Sequence, residues 1–269
     1  MLSGPNYFVY LPGGIKRDDA KIKGVAAATG LSAYEAKVML GAPGPRKIGA
    51  FVKEEEAQGQ AVLLRQAGLT AFVVEKERFS RAPKIFKAQK AVEDAEGLVF
   101  TVETPPAPGE IEARIFDLPQ PKGFVQAVLL GYYTQTTTHA DGGKSKISTV
   151  GKSQAREPFV HLYTEDPHTV LDISGTKVQL PWTAKLAGIF GEARWMKLAE
   201  LLAEFYKAKL DVTLFRFPDE VGAITAALNV DVSRGQSSRG ATGGSVSVDD
   251  SLMALAASRI IVYSLVFGL

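Results

Sequence analysis

The chain contains no cysteine. No disulfide, thiolate metal site or cysteine nucleophile can be built from it, and the absence fits a reducing compartment. Histidine is nearly as scarce, with only His139, His161 and His168. None has a nearby His, Asp or Glu at ligand spacing, so no metal is expected, and nothing in the sequence calls for a cofactor. Charge of one sign is also missing. The 31 basic and 29 acidic residues leave a net charge of +2, which excludes a protein dominated by polyanion binding and leaves nucleic acid an unexpected partner. The N-terminus lacks a charged-then-apolar leader pattern, because Gly4, Pro5 and Asn6 precede the first apolar segment. The expected compartment is therefore the cytoplasm.

What is present is a globular composition, 46% apolar and 22% charged over 269 residues, a length that suits two domains. Three stretches read as joints: the basic run 78–90, the proline-rich 104–109, and the Gly/Ser-rich 233–247. The last carries too little apolar surface to fold alone and is expected to be flexible. The divisions expected are an α+β unit over 1–78, a β-rich unit over 79–230, a flexible tract over 231–248 and an apolar helix over 249–269.

In the first unit, Tyr7–Leu11 is strand-length. Asp18 opens a helix that ends at Gly30, the residue suited to a left-handed C-cap. Ser32-Ala33-Tyr34-Glu35 is a capping box for a second helix, and a third runs from Lys53 to Gly68 before the strand Ala71–Val74. With a short extended piece from Lys47 to Val52, the order is βααβαβ, a small α+β sandwich. Five ordered pieces carry a resemblance: Ile22–Leu31, Tyr34–Lys37, Lys47–Gly49, Lys53–Ala57 and Gln66–Gly68. Together they resemble the C-terminal domain of the bacterial large-subunit ribosomal stalk protein. The resemblance implies a domain without chemistry of its own that recruits translational GTPases through its first two helices. It assigns partner contacts to Lys23 and Lys37, with Val25, Gly30 and Leu31 as the surrounding apolar and turn positions. Ala26 stands where that family usually has an arginine, which weakens an acid-binding face. The family's dimerisation region and hinge are missing, so a borrowed module is expected; the adaptor of the Clp protease uses the same architecture.

The second unit is rich in Val, Thr, Tyr and Phe. Strands are expected at Pro83–Phe86, Gly97–Glu103, Ile111–Phe116, Phe124–Thr138, Phe159–Tyr163, Thr169–Ile173 and Lys177–Leu180, with a kink at Gly131 and a polar loop from His139 to Pro158. A helix over about 192–209 follows. The element order predicts a curved antiparallel sheet capped by one helix, in outline a pleckstrin-homology-like half-barrel.

No catalytic constellation emerges. Gly142-Gly143-Lys144-Ser145 lacks the upstream glycine of a phosphate loop, and no nucleophile elbow is present. Glu165-Asp166 and Asp249-Asp250 read as turn or cap carboxylates. Arg78, Arg81, Lys84, Lys87 and Lys90 recur every third residue and could form a basic patch, although Glu93, Asp94 and Glu96 follow directly. The segment 252–269 is apolar with one charge, Arg259; it reads as a buried helix, or else as a membrane contact. The expectation is thus a non-catalytic interaction protein bound to a protein partner, a translational GTPase or the ribosome. The alternative is a membrane-associated adaptor, peripheral to the inner membrane.

Overall fold

The computed structural model describes residues 4–80, 83–106, 109–141, 150–174, 178–226, 228, 233–234, 238–240, 243–249 and 251–266. The chain is α+β. Residues 7–75 run β1 (Tyr7–Leu11), α1 (Asp19–Thr29), α2 (Ala33–Leu40), β2 (Arg46–Phe51), α3 (Glu54–Gln66) and β3 (Phe72–Glu75). The strands form an antiparallel sheet with β1 in the middle. β1 is apolar at both parities, and each parity has its own core. Val9 and Leu11 pack under the three helices with Val25, Ala36, Leu40, Ala61 and Leu64. Phe8 and Tyr10 face the other way, into the second part of the molecule.

That second part begins with the short α4 (Lys76–Ser80) and continues through two antiparallel meanders. The first is β4 (Lys84–Glu93), β5 (Gly97–Thr104) and β6 (Arg114–Pro121); the second is β7 (Ala127–Asp141), β8 (Val150–Tyr163) and β9 (Thr169–Ser174). They join where β9 pairs β4 in parallel, Lys84 opposite Thr169 and Lys87 opposite Asp172. Then come α5 (Gly191–Tyr206), β10 (Lys209–Asp211), α6 (Thr213–Arg216), α7 (Glu220–Thr225), β11 (Ser233–Arg234), β12 (Ser238–Gly240), β13 (Gly243–Asp249) and α8 (Ser251–Val266).

Several expectations change here. The sheet is mixed rather than antiparallel, since β10 also lies parallel to β7. It stays open, and it carries a helix on each face instead of one cap. Val128, Leu130, Val160 and Leu162 meet Leu198, Leu202 and Tyr206 of α5. Ala127, Leu129, Phe159 and Tyr163 meet Ala254, Ala257 and Ile261 of α8. A strand apolar at both parities must be covered twice. α5 stops at Tyr206, three residues short of the expected end, where Lys207 takes a left-handed φ of 55° and turns the chain into β10. The expected strand at 177–180 is a single bridge from Gln179 to Lys90. Half of the expected polar loop is strand, β8 beginning at Val150. The Gly/Ser-rich tract supplies β11 to β13, and β13 pairs along the overhang of β7 from Gln135 to Asp141. Backbone ladder bonds need no apolar side chains, so a composition poor in core residues can still add an edge strand.

α8 is buried from Ala254 to Val262, between the large sheet and the small one. Phe8, Tyr10, Phe72 and Val74 of the small sheet close on it. Tyr10 Oη donates to Ile224 O at 2.9 Å, and Arg46 pairs with Glu220 at 2.5 Å. From Ala254 to Val262 the apolar surface considered for membrane contact is thus covered within the protein, and among the described residues no helix is long and apolar enough to cross a membrane.

Gly131 does not kink β7, which pairs continuously with β8 through it. A Cβ there would stand 2.6 Å from the Phe159 ring and 2.9 Å from Leu214 Cβ, so the glycine makes room for close packing. Gly131→Ala is expected to cost about 1–3 kcal/mol by overpacking, read as a lower urea midpoint at unchanged slope.

Candidate functional site

Two places hold the side chains of interest. The first is the outer layer formed by α1 and α2. Asp18 caps α1 by accepting from Lys21 N at 2.8 Å. Gly30 ends it with φ of 73° and donates its N–H to Ala26 O at 2.9 Å. The capping box of α2 is complete: Ser32 Oγ accepts from Glu35 N at 3.2 Å, and Glu35 Oε2 accepts from Ser32 N at 2.9 Å. Those bonds from Ser32, side chain first and then backbone, hold the Glu35 carboxyl below its usual range. On this fixed helix pair Lys23 and Lys37 are both exposed. Tyr34 is 76% exposed and Val38 55%, one turn apart on the α2 side that also carries Lys37. Leu31 is half-buried against the core, and Val25 has no exposed surface. A partner cannot touch Val25; it supports α1 from beneath. Tyr34 and Val38 were missed because an apolar residue on a short helix reads as core.

The basic run does not make one patch. A strand repeats every two residues, so a three-residue spacing divides between faces. Lys84 Nζ stands 4.8 Å from the Phe86 ring centre on one face, whereas Lys87 lies beside Asp172 on the other. Lys90 is exposed past a bulge in β4, and Arg78 Nε donates to His168 Nε2 at 2.6 Å. Arg81 lies outside the described residues, as do Gly142 to Ser145 and Asp250. Asp166 accepts from His168 N at 2.9 Å and Thr169 Oγ1 at 2.8 Å, a turn role.

The second place was not foreseen. On the α8 side of the large sheet a buried polar chain links α8 to β7, β8 and β9. Ser258 Oγ donates to Leu255 O at 2.9 Å and also meets Tyr163 Oη and His161 Nδ1, the latter at 3.4 Å. Tyr133 Oη lies 2.6 Å from His161 Nε2 and 3.3 Å from Asp172 Oδ2, which also accepts from Ser174 Oγ at 3.1 Å. Burial pushes His161 down to about 3, so the ring is neutral. Burial pushes Asp172 up to about 6, against hydrogen bonds from Ser174 and Tyr133 and the nearby Lys87 charge, which pull it down. The chain has two consistent proton orders. With Asp172 ionised, His161 Nε2–H donates to Tyr133 and Tyr133 O–H to Asp172. With Asp172 protonated, the carboxyl donates to Tyr133, Tyr133 O–H donates to His161 Nε2, and Nδ1–H points to Ser258 Oγ. Serine, histidine and carboxylate thus share a network, but Ser258 is wholly buried and no substrate can reach its hydroxyl.

Asp172 borders a cavity of about 470 Å³ whose wall includes Ile85, Lys87, Tyr133, Glu157, Leu252 and Leu255. Among the described residues its Oδ1 is buried without a hydrogen-bond partner. His139 lies on β7 opposite Gly151. Among the described residues no three His, Asp or Glu side chains converge as metal ligands would. No protein-family model, curated protein or solved structure matches the chain, so its geometry carries the functional reading.

Proposed function

We propose that the protein is a non-catalytic adaptor whose α1–α2 face docks an acidic protein partner. The resemblance of residues 5–77 to the ribosomal stalk domain makes a translational GTPase or another ribosome-associated factor the candidate partner. The observation that carries the reading is the pairing of exposed Tyr34 and Val38 with Lys37 on one helix face, with Lys23 also exposed on the preceding helix. A tyrosine anchor suits an interface centre, where truncating a hot-spot residue costs about 2 kcal/mol or more, and the two lysines suit its polar rim. The small sheet's other face is covered by α7 and α8, which leaves the layer of α1, α2 and α3 as its outward surface.

The test is co-sedimentation of the full chain with host ribosomes and their bound factors. Sedimentation at low salt and release at moderate salt are expected, because exposed charge pairs are screened. The double variant K23E/K37E should stay at the top of the gradient, and Tyr34→Ala should weaken association at least tenfold. A wild-type chain that never sediments refutes the ribosomal partner. Sedimentation that survives the double reversal refutes the face.

A further inference from the structure

The geometry points to a second, independent site: the cavity beside the N-terminal half of α5 binds a small amphipathic anion, a carboxylate carried on a short alkyl chain or an aromatic ring. The cavity measures about 380 Å³, within the size range of small-molecule sites. α5 lends it Gly191, Arg194, Trp195 and Leu198, whose spacing of three, one and three residues puts them on one side of the helix. Val178, Leu180, Leu186 and Phe190, from the connection between β9 and α5, complete the wall. Leu186 and Leu198 lie deepest, while Val178, Leu180 and Trp195 are half-buried. Arg194 is exposed and Phe190 is 78% exposed, so the cavity opens to solvent at the end where its charge sits.

The walls select the ligand. The polar side-chain groups that the wall residues carry are donors only, the guanidinium of Arg194 and the indole N–H of Trp195. No carboxylate belongs to the wall. Glu192, the nearest acid along the chain, accepts instead from Tyr132 Oη at 2.6 Å. Among the described residues Arg194 forms no ion pair, so its charge is free to meet a ligand. The first turn of α5 adds to it: Phe190 at the N-cap supplies no side-chain acceptor, and the helix dipole is positive at this end. A bare inorganic anion would gain nothing from the apolar side chains, and a hydrocarbon would leave the donors unused. A carboxylate matches the guanidinium fork, and its apolar body fills the rest.

Isothermal titration of the full chain with octanoate, octan-1-ol and octylamine tests the assignment. The three probes share a chain and differ in charge. Octanoate is expected to saturate a single site, and the alcohol and the amine to bind about fivefold more weakly or worse. Arg194→Gln, at an exposed position, should weaken octanoate about fivefold and leave the alcohol unchanged. Val178→Trp, at a half-buried wall position and with its fold checked by circular dichroism, fills the cavity and should abolish binding of both. A readout on the unaltered chain does not depend on that variant folding. The indole N–H resonance of Trp195, identified by its loss in Trp195→Phe, should shift in step with octanoate binding. The assignment falls if octanoate does not saturate, or if the alcohol or the amine binds as tightly. It falls equally if Arg194→Gln or a folded Val178→Trp leaves octanoate affinity unchanged, or if the Trp195 resonance stays still while octanoate binds.

Discussion

Arg259→Met is expected to cost about 3–5 kcal/mol of folding free energy, among the largest effects a single substitution in this chain can have. Arg259 is 1% exposed in the middle of α8. Its guanidinium donates from Nε to Pro167 O at 3.2 Å, from Nη1 to Phe79 O at 3.2 Å and from Nη2 to Arg78 O at 2.9 Å. It also stacks 5.2 Å from the Phe79 ring centre. One planar fork thus fastens α4 and the turn before β9 to α8, and with them the small sheet to the large one. Methionine fills similar volume but leaves three carbonyls without their charged donor, each worth about 1–3 kcal/mol when buried. Arg259→Lys keeps the charge but not the fork, and should fall between the two. Urea denaturation gives the size. A second signature separates loss of the clamp from general loosening. Burial first, then the charges of Arg259 and Arg78, push His168 down to about 4. Removing Arg259 should move its titration back toward the ordinary value, followed by NMR of the ring. A methionine variant within 1 kcal/mol of wild type would show that the clamp contributes little.

The first unit was legible because its signals are local. Asp18, Gly30, Ser32 and Glu35 fix helix ends through bonds spanning three or four residues, and such pairs can be seen in a line of text. The large sheet was less legible. Ala127 to Leu130 is apolar at both parities, which states that β7 is covered twice, but the second cover is α8, some 125 residues later. Nothing local announces that β9 returns to pair β4 in parallel. The buried chain was hidden for the same reason, its members Tyr133, His161, Asp172 and Ser258 coming from four separate elements. A signal did exist. His161 and Asp172 each interrupt an apolar strand, and a polar group in a doubly covered strand must find a partner. Arg259 carried the same message: a lone cation in an apolar helix reads as a cost until its carbonyl partners are in view.

Replacing Asp172 should unmask a pH dependence that the wild-type chain conceals. His161, with its folded value near 3, is neutral when buried but takes a proton in the unfolded chain below its ordinary 6.5. Its stabilising contribution is complete above pH 6.5 and is lost as pH falls toward 3, at about 1.4 kcal/mol per pH unit. Asp172 acts in the opposite sense. Its folded value near 6 lies above the ordinary 3.8, so the folded chain holds a proton that the unfolded chain has released. That contribution is complete below pH 3.8 and is lost as pH rises through 6, at the same rate per unit. Between about pH 4 and pH 6 the two slopes oppose each other and cancel. Folding in that window in effect moves a proton from histidine to carboxyl, with no net uptake. Asp172→Asn keeps the shape and deletes one slope. Its stability relative to wild type should therefore climb by about 3 kcal/mol from pH 4 to pH 6 and level off above. His168 adds its own rise with pH, but it is present in both proteins and drops out of the difference. Urea midpoints of the two proteins across this range decide the matter: parallel curves would mean that Asp172 titrates as an ordinary carboxyl and that the buried chain has a single proton order.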